Sequence, residues 1–298
     1  MNQGSSLDTS ARIGLVGLGI MGSQIALRLI DKGYQLTVWN LEPERYDLVR
    51  DAGAAWADSP ADVWSACDFA LVCVLGDVAL ESVCFGDQGF ARAGRGARLL
   101  VDLSTTSPAA TKRLAPRIRA DLGADWIDAP MSGGPAAARE GSLTLMVGGD
   151  ARRLEEVQPL LTAIAANVTH MGDLGAGQIA KILNQAIVGV NYVLMAELLT
   201  ITKAASIEPS LLPKCLKGGM ADSTILQRIY PQMSENDFDP PRSYARQVNK
   251  DLLSVMSFLE QLGLEMPVIA KAVERYRTWA EAGNMKEDGA AVSRLYGN

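Results

Sequence analysis

The sequence predicts an α/β fold in its N-terminal half, a doubly wound parallel sheet, followed by an all-α half built around one long central helix. Three observations carry this. Short apolar runs alternate with amphipathic helical stretches from Arg12 to Val147. A glycine-rich turn follows the first of those runs at once. From Gly175 onward the strand signals stop, and Gly177–Lys203 reads as a single apolar helix.

Each element has a local reason. Arg12–Val16 is the first strand, and Ser23–Lys32 is a helix with Ile25, Ala26, Leu29 and Ile30 at helical spacing, stopped by Gly33. Gln35–Trp39 is the second strand, and Glu42–Ala52 is helical with Pro43 in its first turn. Ser59 caps a short helix to Ala66. Phe69–Leu75 is continuously apolar, as a strand buried on both faces requires. Leu99–Leu103, Trp126–Ala129 and Leu143–Val147 are further strands, and Ser107-Pro108 opens a helix. In the second half Pro209–Leu216, Ser223–Met233, Tyr244–Leu262 and Val268–Ala282 read as helices, with a loop over Asn236–Ser243. Glycines at 172, 175 and 177 mark the change of character. The expected organisation is a flexible extension over 1–10, a dinucleotide-type α/β domain over 11–172 and an all-helical substrate and oligomerisation domain over 173–298.

Composition narrows the function classes. Of 298 residues, 48% are hydrophobic and 21% charged, the balance of a globular chain of about two domains at roughly 150 residues each. A net charge of −6 argues against nucleic acid or an anionic membrane as partner. No uninterrupted apolar run approaches the ~18 residues of a membrane helix, and the polar start is no signal peptide. Cys67, Cys73, Cys84 and Cys215 form no C-x-x-C pair, so they read as small buried hydrophobes in a reducing, cytoplasmic setting. His170 is the sole histidine. No metal site is expected, and a Ser-His-Asp hydrolase has little to work with.

The first chemistry lies in Gly17-Leu18-Gly19-Ile20-Met21-Gly22. Gly17 permits the tight turn, Gly19 lets a pyrophosphate approach the backbone, and Gly22 lets helix and strand pack closely. The helix N-terminus offers N–H groups to phosphate. The position of the motif between strand and helix favours a dinucleotide over a merely structural turn. Asn40 ends the second strand without a charge to repel a 2′-phosphate, and Arg45 could reach one, whereas Glu42 and Glu44 argue the other way.

Three polar features stand out downstream. Lys181, Asn184, Gln185 and Asn191 interrupt the long helix within an arc of about 120° at ~100° per residue. A lysine there either serves a cleft or snorkels to the surface. Ser132-Gly133-Gly134 follows a strand end, where it either holds an anion on backbone N–H groups or is a plain loop. Lys250-Asp251 is a charge pair that in isolation reads as solvated.

Together these segments resemble the β-hydroxyacid dehydrogenases, the group of 3-hydroxyisobutyrate dehydrogenase and tartronate semialdehyde reductase. The matching stretches are Gly17–Gly22, Asp102-Leu-Ser-Thr-Thr-Ser-Pro108, Asp128-Ala-Pro-Met-Ser-Gly-Gly134, Gly141-Ser-Leu-Thr-Leu-Met-Val-Gly148, Gly177-Gln-Ile-Ala-Lys-Ile-Leu-Asn184 and Lys250-Asp251. They run in order over about Ile13 to Val268.

The resemblance implies a Rossmann-type domain that binds NAD or NADP, and hydride transfer to or from a small anionic hydroxy acid or semialdehyde, of the 3-hydroxyisobutyrate or 2-hydroxy-3-oxopropionate type. It implies Lys181 as the catalytic lysine, with Asn184 orienting the substrate. Ser132, Gly133 and Gly134 bind the carboxylate, Leu75, Ser104 and Thr105 lie at the nicotinamide, and Lys250 closes the site. It also implies a homodimer or homotetramer joined through the C-terminal helices.

Three positions depart from the family's usual pattern: Gly76 follows Leu75 where proline is common, Met131 replaces a valine, and Leu41 replaces an arginine. The last leaves only Arg45 for a 2′-phosphate, a slight lean to NADP. The alternatives are an imine reductase-like enzyme, whose group generally lacks the lysine at position 181, and a non-catalytic nucleotide-binding scaffold.

Overall fold

The computed structural model describes residues 9–297; residues 1–8 of the expected N-terminal extension lie outside them. The chain divides into two compact units, the first ending at Lys181 and the second beginning at Ile182.

In the first unit, β1 (Arg12–Val16) leads through the glycine turn into α1 (Ile20–Asp31), then β2 (Gln35–Trp39). The expected helix over Glu42–Ala52 is instead a 3-10 turn, Pro43–Tyr46, and one turn of α2 (Asp47–Arg50). Only Val49 of this stretch is buried, so little packing sustains a longer helix. There follow β3 (Ala55–Trp56), α3 (Pro60–Ala66), β4 (Phe69–Val72), α4 (Asp77–Phe85) and α5 (Phe90–Ala93). Next come β5 (Leu99–Asp102), α6 (Pro108–Arg117), β6 (Asp125–Asp128), β7 (Met131–Ser132) and α7 (Gly134–Glu140). The unit continues with β8 (Leu143–Gly148), α8 (Ala151–Ile164), β9 (Ala165–Gly172) and the start of α9 (Ala176–Ala204). Ser59 and Ser107 both cap their helices, accepting the N–H groups of Asp62 and Ala110.

The strand order is β3-β2-β1-β4-β5-β6-β8-β7, with β9 beside β8. Strands β1 to β6 are parallel, and β8 runs antiparallel to β6 and β7. Alternate residues serve opposite faces. Ile13, Leu15, Phe69, Leu71, Leu99 and Val101 pack with Ile25 and Leu29 of α1 and Val157 of α8. Val16, Ala70, Val72 and Leu100 pack with Trp64, Leu80 and Leu114 from α3, α4 and α6. This is the doubly wound arrangement, with its reversal of strand order at β1 and β4. Strand β4 stops at Val72, three residues short of the expected Leu75, because the Val74 N–H turns to the Ser104 hydroxyl at 2.9 Å instead of extending the ladder.

In the second unit α9 continues to Ala204 and is followed by α10 (Leu211–Leu216), α11 (Thr224–Ser234), α12 (Ala245–Gln261), α13 (Pro267–Trp279) and a 3-10 segment, Gly289–Tyr296. Val193, Met195, Ala196 and Leu199 of α9 pack with Tyr230, Leu252 and Tyr276. By length and by the mean hydropathy of an 18-residue window, 1.5, α9 could cross a membrane. The run itself is interrupted by Lys181, Asn184, Gln185 and Asn191, but the apolar residues around them keep the window average high. Its buried residues make it the core helix of this unit. Of the cysteines, Cys67 and Cys84 are buried, whereas Cys215 is exposed, contrary to its reading as a buried hydrophobe.

Candidate active site

The glycine turn shows what each glycine is for. Gly17 has φ +103°, and a Cβ there would collide with the Cys73 carbonyl. A Cβ on Gly22 would collide with the Gly17 carbonyl. Gly19 differs: its φ of −64° suits any residue, and a Cβ there would meet no protein atom within 4 Å. The fold requires the outer two glycines, and the middle one leaves open the space in front of α1. The first turn of α1 holds no acidic side chain and has no side-chain cap. Open space, uncapped N–H groups and a helix N-terminus fit a pyrophosphate.

The turn is braced from β2. The Asn40 side-chain oxygen accepts the Leu18 N–H at 2.7 Å, and Arg45 Nε donates to the Leu18 carbonyl at 3.0 Å. Asn40 Nδ2 donates to the Glu42 carboxylate at 2.7 Å. Asn40, Arg45 and Glu42 therefore meet at the end of β2, beside the glycine turn.

At the ends of β5 and β6 lies a buried polar network. Asp102 accepts the Ser104 N–H at 2.9 Å and the Thr106 hydroxyl at 3.2 Å. Asp128 accepts the N–H groups of Gly175 at 2.7 Å and Gln178 at 2.8 Å, so a carboxylate from β6 caps the start of α9. Gly148 and Gly177 allow the close approach, since a Cβ on either would press on Asp128. The Gln178 carboxamide joins the two halves: it accepts the Thr106 N–H at 3.1 Å and donates to the Ser104 carbonyl at 2.9 Å. Burial raises both carboxyls above the usual range, Asp102 to about 7, against the hydrogen bonds that favour their charged forms. Lys181, one turn beyond Gln178, is 7% exposed. It does not snorkel. Ser104 is buried with its hydroxyl engaged by Val74, Thr105 is half-buried beside it, and Leu75 is exposed.

Ser132 ends β7, paired with Thr144 of β8, and Gly133 and Gly134 turn the chain into α7 with φ +138° and +82°. A Cβ on Gly134 would meet nothing within 4 Å, so this turn too presents open backbone.

In the second unit the polar residues form a relay. Asn184 Nδ2 donates to Gln185 Oε1 at 2.7 Å, and Gln185 Nε2 donates to the Asp251 carboxylate at 2.5 Å. Lys250 lies 3.2 Å from the same carboxylate. Asp251 is mostly buried and held by Gln185, whereas the Lys250 side chain stays partly exposed.

The comparisons with known proteins agree along the whole chain. Residues 12–172 match the NAD binding domain of 6-phosphogluconate dehydrogenase, and residues 175–296 match the NAD-binding domain of NADP-dependent 3-hydroxyisobutyrate dehydrogenase. The 2-hydroxy-3-oxopropionate reductase of Escherichia coli is 35% identical over 94% of this chain and 95% of its own. The chain belongs to the β-hydroxyacid dehydrogenase family. L-threonate dehydrogenase of Cupriavidus necator is 31% identical over 96% of each chain. The 3-hydroxyisobutyrate dehydrogenase of Mycobacterium tuberculosis, solved with L-serine, superposes with a TM-score of 0.85 at 25% identity, over 95% of this chain and 98% of that one.

This β-hydroxyacid dehydrogenase is therefore an NAD(P)-dependent oxidoreductase acting on hydroxy acids. Within its first unit the structure gathers Ser104, Thr105 and the helix turn that bears Lys181 around one buried network. Asn184 and Lys250 meet through Gln185 and Asp251 in the second. Two members were legible only as parts of motifs. Gln178 carries no signal of its own beyond a polar residue one turn before Lys181. Asp128 stands at a strand end, where a helix N-terminus far along the chain finds it.

Proposed function

We propose that this dehydrogenase interconverts a small 3-hydroxy acid and its semialdehyde, with Lys181 as general acid/base. The observation that carries this is the burial of Lys181 on the capped first turns of α9, one turn beyond Gln178, whose carboxamide binds the Ser104–Thr106 turn. When bound, NAD(P) supplies a nicotinamide carbon that takes or gives a hydride. In the oxidative direction the hydrogen on the carbinol carbon leaves as hydride with both electrons of its C–H bond, the O–H pair becomes the C=O bond, and the hydroxyl proton passes to the neutral amine of Lys181. In reduction the same ammonium polarises the carbonyl and returns the proton.

Ser132, Gly133 and Gly134 take the carboxylate through the hydroxyl and open backbone N–H groups. Asn184 orients the hydroxyl, held by Gln185. Leu75, Ser104 and Thr105 lie at the nicotinamide, and Lys250 adds a cation fixed by Asp251. Gly17, Leu18, Gly19, Ile20, Met21 and Gly22 cradle the pyrophosphate. Asn40 and Arg45 favour NADP slightly, and Glu42 keeps the preference small. The enzyme works in the cytoplasm as a homodimer or homotetramer.

The test is a panel of small 3-hydroxy acids and semialdehydes with each dinucleotide, beside Lys181→Ala. Turnover falls by about 10²–10⁴-fold, the range of one general acid/base, while dinucleotide Kd is retained. A loss under about tenfold, or a parallel collapse of dinucleotide affinity, overturns the assignment.

A further inference from the structure

We infer that Gln178 is a positioning residue: its carboxamide sets the distance between the Ser104–Thr106 turn and the turn of α9 that carries Lys181. The inference rests on the reading of Lys181 given above.

The geometry leaves Gln178 no other task. Its side chain is fully buried, and both ends are used on one short turn, the oxygen on the Thr106 N–H and the nitrogen on the Ser104 carbonyl. Its own N–H is used by Asp128. Gln178 and Lys181 are three residues apart on α9, hence neighbours on one face. The 104–106 turn is held from its other side by Asp102. One side chain therefore ties the turn proposed to lie at the nicotinamide to the helix proposed to carry the base.

The residue type follows from the surroundings. The position needs one acceptor and one donor in a dry place already occupied by two carboxyls, Asp102 and Asp128. A carboxamide supplies both without charge. Glutamate keeps the acceptor, but it restores the donor only when protonated. Methionine fills the volume and supplies neither.

Backbone amide exchange at Thr106 in the unliganded enzyme gives a reading independent of turnover. In Gln178→Met the Thr106 amide exchanges at least about tenfold faster, its acceptor being lost. Dinucleotide Kd stays within about threefold and KM for the hydroxy acid changes little, while kcat falls by about 10²-fold, the scale of a misplaced reacting group. Gln178→Glu lies between wild type and Gln178→Met, and its kcat relative to wild type rises as pH is lowered and the new carboxyl gains a proton. Should Gln178→Met fail to fold, the pH profile of Gln178→Glu carries the test.

Unchanged Thr106 exchange overturns the proposal, as does kcat within about threefold of wild type. So does a pH-independent loss in Gln178→Glu matched by an equal loss of dinucleotide affinity, which marks a merely structural role. An inactive wild type with faster Thr106 exchange in Gln178→Met instead overturns the assigned reaction and supports the strut.

Discussion

The side-chain oxygen of Asn40 accepts the Leu18 N–H at 2.7 Å, so the end of the second strand holds the middle of the glycine turn. Arg45 completes the grip by donating to the Leu18 carbonyl. Arg45 thus braces the turn in addition to the 2′-phosphate contact proposed for it. From sequence alone, Arg45→Ala should weaken NADP and leave NAD nearly untouched. The structure adds a shared loss: NAD affinity also falls, by about two- to fivefold for one hydrogen bond, and NADP affinity falls by up to about tenfold more. Fluorescence titration of both dinucleotides against wild type and Arg45→Ala checks this, and unchanged NADP affinity would refute it.

The glycines separate fold from ligand. Gly22→Ala drives a methyl group into the Gly17 carbonyl, so it destabilises the protein by about 1–3 kcal/mol or more, as forced overpacking does, or prevents folding. Gly19→Ala meets nothing, so its Tm stays near wild type while dinucleotide Kd rises by tenfold or more. Thermal melts beside titrations decide it. Equal melting losses in the two variants would contradict the division.

Asp102 gives the first unit a pH signature. Its carboxyl is raised from 3.8 to about 7 by burial, so between about pH 4 and 7 the folded state keeps a proton that the unfolded state has released. Stability therefore falls as pH rises through that window, by up to about 4 kcal/mol at roughly 1.4 kcal/mol per pKa unit. Asp102→Asn mimics the protonated form and keeps an acceptor for the Ser104 N–H. It removes this share of the decline, so the difference in Tm between pH 5 and pH 8 is smaller than in wild type. Identical differences would show that Asp102 does not titrate in this range.

On α9, Leu183, Ile187, Leu194 and Ile201 are exposed and fall within about 40° of one another at ~100° per residue. An apolar stripe of this kind seeks a partner. Sedimentation of wild type gives a dimer or tetramer, and Ile187→Glu with Ile201→Glu shifts it toward the 31.8 kDa monomer. A monomeric wild type at micromolar concentration would contradict the proposed assembly.

Much of the fold was legible because it is written locally. β1 and β2 were readable to the residue: β1 is an apolar run after Arg12, and β2 alternates polar Gln35 and Thr37 with buried Leu36 and Val38. β9 was not: Ala165–Gly172 is largely exposed and has no apolar period, and its order comes from pairing with β8. The candidate site divides in the same way. The glycine turn announced itself. The burial of Lys181 did not, because helical spacing reads alike for a buried and a snorkelling lysine. What settles it is the docking of α9 by Asp128, fifty residues before Gln178 in the chain.

The open position at Gly19 has a meaning over evolutionary time. Gly17 and Gly22 are kept by the packing of the fold, whether or not a dinucleotide is ever bound. At Gly19 the packing makes no such demand, since a Cβ there would meet no protein atom within 4 Å. In a descendant that abandoned the cofactor but kept the architecture, drift would reach residue 19 before its two neighbours. A glycine at position 19 is what the proposed dinucleotide contact requires and what packing alone does not.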